Sequence, residues 1–384
     1  MTWIPPLPPF RAWRPISSRR IAAAPRSGYN GGVKITSLAR RRLLAGAVQV
    51  CAAGLLPVLI APEAAAQQGG PAIGSAPLPA PARPGTWLVL LGTRAGPGID
   101  LSRAQTASAV VVDGRPYLVD CGYGALRQLV AAHVGYLQID NVFFTHLHDD
   151  HTGDLAALLS FQWTNGKTTP TDVYGPFGTA SMVEAAVSFF HANVEIRTVD
   201  EGRTVDAVRQ FHGHDATAAT PQVMFKDDKV TVTAVENTHY PARSLARMPD
   251  RSFAYRFDTP HRSIVFSGDT AYSQNLVTLA HNADVFVCEV IDQSVLDDMR
   301  TRANAAAAAG NPNNIFRHVA DTHSSPADVA RMATEANVRT VVLNHEGAGP
   351  SPTGELAYPV SGFIDAVRKG FAGEVIVGAD LMVI

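Results

Sequence analysis

The sequence predicts a layered α/β fold, and three observations carry that expectation. Short apolar strand candidates alternate with helical patterns from residue 86 to residue 384. Histidines and aspartates gather where several of those strands end. With 46% hydrophobic and 17% charged residues, the chain can also bury a substantial core.

The elements follow in order. Trp87–Gly92, Ser108–Val112 and Pro116–Asp120 read as strands, with Asp113-Gly114 as the turn between the last two. Asn141–Thr145 reads as a buried strand that stops at His146. Further strands are expected at Val230–Glu236, Ser252–Phe257, Ser263–Ser267, Asp284–Glu289, Thr340–Asn344 and Glu374–Val377. Helical periods cover Gly124–His133, Gly153–Phe161, Thr179–Ala192, Ser325–Ala336 and Ser361–Lys369. No internal repeat is visible.

Residues 1–85 differ in character. Residues 1–36 read as a disordered leader or a start assigned too early. In residues 37–66, Arg40-Arg41-Arg42 precede an apolar run from Leu43 to Ala61, and Ala64-Ala65-Ala66 form a small-residue cleavage site. That order marks an export signal, and the paired arginines resemble the twin-arginine type. Gly46, Gln49, Gly54 and Pro57 weaken the alternative of a membrane anchor. Residues 67–85 form a Pro/Ala/Gly linker, and residues 86–384 one domain. The expected location is therefore periplasmic or secreted.

Charge divides along the same line. Residues 1–66 carry nine basic residues and one acid, which leaves 23 basic and 33 acidic residues and a formal charge of −10 downstream. Such a body has no general attraction for a polyphosphate, so nucleic acid is not expected as a partner.

The most specific signal is His146-Leu147-His148-Asp149-Asp150-His151. His146 and His148 project to one side of an extended segment, and Asp150 and His151 follow as the chain turns into a helix. Imidazole nitrogen and carboxylate oxygen are the ligands zinc takes. Three further candidates stand at later strand ends: His239, Asp269 and His345.

This segment resembles the metal signature of the metallo-β-lactamase superfamily, whose fold is an αββα sandwich with the site along one edge. Ser267-Gly268-Asp269-Thr270 resembles the turn that supplies that family's bridging aspartate. The resemblance implies one ion on His146, His148 and His239, a second on Asp150, His151 and His345, and Asp269 between them. Two zinc ions are the expected cofactors, although manganese or iron fits some of the same ligands.

Several segments resemble the ribonuclease Z and arylsulfatase branch of the superfamily. These are Leu91-Gly92-Thr93, Leu118–Gly122, Tyr174-Gly175-Pro176 and His323-Ser324-Ser325. Glu289 stands where the branch has the acid of a His-Glu pair, with Cys288 in place of its histidine. The resemblance implies that His323 and Glu289 donate a proton to the leaving group, with Asp150 completing the catalytic set. Two ions about 3.5–4 Å apart would hold a bridging hydroxide as nucleophile. The branch's long basic arm has no counterpart in Ala192–Val230, so tRNA processing is not expected.

The resulting expectation is an exported hydrolase of a small phosphodiester or related ester. Its partners would be that small molecule and the export machinery, and a homodimer is compatible with the sequence. An aryl sulfate, a lactone and a β-lactam remain alternative substrates, and a non-catalytic zinc protein is the rival from another class. A flavin-linked diiron enzyme is not expected, because that branch has a carboxylate where His148 stands. His212 and His214 are read as loop residues, and His318 has no motif around it. Cys121 and Cys288 are read as buried thiols.

Overall fold

A computed structural model describes residues 84–99, 101–312, 314–347 and 360–384. The expected leader (residues 1–36), the expected export signal (37–66) and nearly all of the expected linker (67–85) lie outside the described residues. Strand β1 (Thr86–Gly92) shows how the fold is layered. Leu88 and Leu90 point into one core and Val89 and Leu91 into another, because successive side chains leave a strand on opposite faces. A strand buried on both faces reads as a continuous apolar run, which is what β1 shows.

Five more strands join β1 in order: β2 (Ala107–Val112), β3 (Arg115–Val119), β4 (Asn141–Phe143), β5 (Thr171–Pro176) and β6 (Phe211–Ala216). The first three pair antiparallel and the rest parallel. Asp113 and Gly114, with φ of 48° and 87°, make the two-residue turn between β2 and β3. Positive φ at both central residues is the hairpin geometry that matches strand twist.

The second sheet repeats this plan with β7 (Gln222–Lys226), β8 (Thr231–Glu236), β9 (Phe253–Asp258), β10 (Ser263–Phe266), β11 (Val285–Ile291), β12 (Thr340–Gly347) and β13 (Glu374–Val377). Strands β7 to β10 pair antiparallel and β10 to β13 parallel. Between the sheets pack Leu88, Tyr117 and Phe143 of the first with Tyr255, Phe257 and Val287 of the second. Helices Ala125–Ala131, Leu155–Thr164 and Thr179–Phe189 cover the outside of the first sheet. Helices Gln274–Leu279, Pro326–Glu335 and Val360–Arg368 cover the second. The result is the αββα arrangement.

Cys121 and Cys288 are both buried and, among the described residues, unpaired, each under a different helical layer. The helix expected over Thr179–Ala192 stops at Phe189, and a separate one covers His191–Asp200. His212 and His214 lie on β6, not in a loop. This is an edge strand with mostly solvent-facing side chains, so it lacks the apolar alternation that marks a strand in sequence. Among the described residues, no helix is long and apolar enough to cross a membrane.

Candidate metal centre

After β4 the chain leaves the sheet, and a buried carboxylate governs where it goes. Asp120, just past β3 and with φ of 57°, accepts hydrogen bonds from the Thr145 backbone N–H at 2.8 Å and from its hydroxyl at 2.9 Å. Asp120 Oδ2 is also 2.9 Å from His151 Nδ1. A carboxylate on one ring nitrogen fixes the tautomer and leaves Nε2 as the metal-facing atom. The short helix Asp149–Thr152 brings Asp150 and His151 round behind His148. The Gly96 N–H donates to Asp150 Oδ2 at 2.7 Å, and a Cβ at Gly96 would stand 2.3 Å from that carboxyl group. Only glycine permits this approach.

The second sheet contributes one ligand candidate from each of three strand ends. His239 follows β8. Asp269 follows β10 through Gly268, which takes a φ of 58°. His345 lies within β12, where the register to β11 slips: Glu289 faces Asn344 and Val290 faces Glu346, leaving His345 unpaired at a bulge with φ of 43°. Bulges of this kind re-aim a side chain.

Two groups of donor atoms result. His148 Nδ1 is 3.0 Å from His146 Nε2 and 3.2 Å from His239 Nε2. His345 Nε2 is 3.2 Å from Asp150 Oδ2 and 3.2 Å from Asp269 Oδ2, and His151 Nε2 is 3.2 Å from Asp269 Oδ1. Asp269 Oδ2 is also 3.7 Å from His146 Nε2, so this carboxylate faces both groups. Donors bound at about 2.0–2.1 Å to a tetrahedral zinc stand roughly 3.3 Å apart, so both groups have the spacing of a coordination shell. Among the described residues His151 Nε2 and Asp269 Oδ1 are buried with no hydrogen-bond partner beyond their own 3.2 Å approach, as two atoms facing a shared ion would be. His146, His148 and His239 could hold one cation, and Asp150, His151, Asp269 and His345 a second.

The electrostatics suit the same use. Burial, reinforced by neighbouring imidazoles, holds His146 and His239 well below the usual imidazole range, which keeps their lone pairs free. Burial alone would raise the Asp269 pKa, but His345, His151 and His146 outweigh it and keep the group ionised.

Glu289 and His323 meet at this centre. His323 Nδ1 lies 2.9 Å from Glu289 Oε2, while the Thr270 N–H donates to Glu289 Oε1 at 2.6 Å. The His323 ring stacks on His345 with centroids 5.7 Å apart and lies 5.2 Å from His239. Burial pushes the His323 pKa down, but the Glu289 charge and hydrogen bond outweigh it, and the value ends at about 9.

All seven ligand candidates and both proton-donor candidates therefore come together. Sequence reasoning missed Asp120, which a carboxylate at the end of an adjacent strand could have signalled. It also missed His318, on the helix Ile315–Thr322, whose ring is 4.8 Å from His239 and 5.5 Å from His148. No spacing connects His318 to the other ligands. His212 and His214 lie away from the centre, beside Asp172, which pairs with the start of β4 and not its end.

A two-sheet sandwich with paired His/Asp clusters at its strand ends defines a metal-dependent hydrolase. The chain matches the family described as beta-lactamase superfamily domain over residues 115–345 and belongs to the metallo-β-lactamase superfamily, whose members depend on metal, typically zinc. It is 28% identical over 298 residues to a ribonuclease Z of Mycobacterium bovis, covering 77% of this chain and 96% of that protein. Human tRNase Z, short form, shares 21% identity, with a TM-score of 0.55 over 78% of this chain and 98% of that one. The metallo-β-lactamase fold protein YhfI from Bacillus subtilis has the same TM-score at 17% identity, over 78% and 99% of the two chains.

These relatives correct one expectation. A small-molecule ester as partner, with nucleic acid set aside, does not stand against similarity to proteins named as ribonucleases. The net charge of −10 is a sum over the whole body, whereas a bound phosphate responds to the groups within a Debye length of it.

Proposed function

We propose that this protein is a metal-dependent phosphodiesterase that cleaves a phosphodiester bond in RNA. The observation that carries the reading is the Glu289–His323 pair, buried at hydrogen-bond distance beside both donor groups. Similarity to ribonuclease Z supports the substrate class.

In this reading His146, His148 and His239 would hold one divalent ion and Asp150, His151 and His345 another, with the Asp269 carboxylate, which faces both groups, available to both. Such ions supply Lewis-acid stabilisation of phosphoryl charge and an activated water. The protein does the rest. Asp120 orients His151, and Gly96 orients Asp150. Glu289, anchored by the Thr270 N–H, holds His323 by Nδ1 and stabilises its charged form. The other nitrogen, Nε2, then carries the proton for the departing ribose oxygen. A sulfate, lactone or lactam hydrolase remains as an outcome of the substrate panel.

The test is hydrolysis of a labelled single-stranded RNA, a bis-aryl phosphate, an aryl sulfate, a lactone and a β-lactam by metal-loaded residues 67–384, with metal content measured alongside. Two ions per chain and chelator-sensitive diester cleavage are expected. Turnover of the sulfate, lactone or lactam with both diesters intact would sink the proposal. Export forms part of it on the Arg40–Ala66 pattern alone. Recovery of the full chain, uncleaved, from the cytoplasm would remove that part.

A further inference from the structure

A second concavity lies beside the metal centre. It has a volume of about 260 Å3 and is lined by Pro241, Arg243, Ser244, Arg247, Asn314 and His318. His318 is common to both places, since its ring also packs against His239 and His148. The space is smaller than the roughly 300–1,000 Å3 pockets that enclose drug-sized ligands. Its wall carries two guanidinium groups, an amide, a hydroxyl and an imidazole, and among the described residues no carboxylate lines it. That is the chemistry of an anion site.

The local charge is positive even though the body is acidic. Arg243 Nη2 is 3.2 Å from Asp321, and Arg317 Nη1 is 3.9 Å from the same carboxylate, so one acid serves two arginines. Arg247 is exposed, and its guanidinium has no carboxylate partner among the described residues. A guanidinium fork matches phosphate oxygens in pairs and is more weakly hydrated than an ammonium, so it gives up less water on binding.

We propose that this cavity is a subsite for a second phosphate of the substrate chain, neighbouring the one that is cleaved, so that oligonucleotides are selected over isolated phosphodiesters. The proposal rests on the phosphodiesterase reading above. Arg247 is the principal contact, Arg243 and Asn314 complete the wall, and His318 separates the subsite from the metal centre. Selection then arises from binding energy spent away from the reacting atoms.

The experiment compares the metal-loaded parent with Arg247→Ala and Arg247→Lys. It measures kcat/KM for a bis-aryl phosphate, and the inhibition constant of a short RNA against that reaction over a range of salt. Arg247 is exposed and outside the metal centre, so aryl diester turnover is expected to stay within about twofold of the parent. The RNA inhibition constant is expected to rise about tenfold in Arg247→Ala, as for loss of one hydrogen bond to a charged group. Its salt slope should fall by about 0.7, the value for one phosphate contact on a single strand. Arg247→Lys should keep the slope and recover part of the affinity. Equal losses on both substrates, or no change on RNA, overturn the subsite. Competition by a nucleoside 3′,5′-bisphosphate as strong as that of RNA overturns selection for a chain. Failure of the parent to turn over the aryl diester instead removes the phosphodiesterase reading, and the subsite with it.

Discussion

The two halves of the metal centre are built by different means. The first sheet supplies His146, His148, Asp150 and His151 from a single turn after β4, and one carboxylate, Asp120, fixes both that turn and the His151 tautomer. The second sheet supplies His239, Asp269 and His345 from three strand ends far apart in sequence, one of them turned inward by a bulge. The ligands of the first half are thus local in sequence, anchored by one carboxylate from the end of β3, and the second half is a product of sheet assembly. Its two halves should accordingly fail in different ways.

The largest effect is expected where the halves join. Asp269→Ala removes the carboxylate that faces both donor groups, so metal content should fall below two ions per chain. Diester hydrolysis should drop about ten-thousandfold, for the loss of several kcal/mol of charge stabilisation. Elemental analysis with initial rates checks this, and an undiminished metal content would show that the two groups are independent.

Next comes the proposed proton donor, His323, which belongs wholly to the second half. His323→Ala should lower kcat roughly a hundred- to a thousandfold while leaving metal content intact. The His323 pKa is raised to about 9 in the folded protein, so the protonated donor persists below that pH. Activity should decline as pH rises through about 9 in the parent, and that limb should be absent in the variant. The same shift contributes stability that is full below the ordinary imidazole pKa of about 6.5 and is lost as pH rises through about 9.

Asp120→Asn tests the local half. It keeps the shape but removes the charge behind His151, and affinity for the second ion should fall about 10–100-fold. Metal titration followed by calorimetry would read this, with unchanged affinity counting against Asp120 as the orienting group.

The smallest effect is expected at Gly268→Ala. The backbone there has a φ of 58°, and a Cβ would stand 2.7 Å from the Phe253 carbonyl oxygen. A loss of about 1–3 kcal/mol is expected from such strain, seen as a lower midpoint in urea. If activity falls more than stability, the turn serves chiefly to aim Asp269.

Much of this was legible in the chain. The strands β1 to β4 and β8 to β13 announced themselves through apolar runs bounded by turn residues, because both faces of each are covered. Strand β6 did not, since its edge position leaves most side chains in water and removes the pattern. The helix Ile315–Thr322 was equally silent. It is short, mixed in composition and started by an Asn314 side chain that accepts from the Arg317 N–H at 3.1 Å. His318 was hidden with it. The exclusion of nucleic acid failed because charge was summed over a body in which Arg243, Arg247 and Arg317 gather at one place.

The sequence by itself determined the ligand types, the spacing of the 146–151 turn and the alternation that sorts strand residues between cores. These depend on neighbours a few positions away, within reach of backbone periodicity. Only the tertiary structure decided that His345 turns inward, that Glu289 meets His323, and that His318 stands between the metal centre and an arginine-lined cavity. Those contacts join residues tens to hundreds of positions apart, and only the packing of the second sheet with the helices and turns around it brings them within hydrogen-bonding or ring-contact distance.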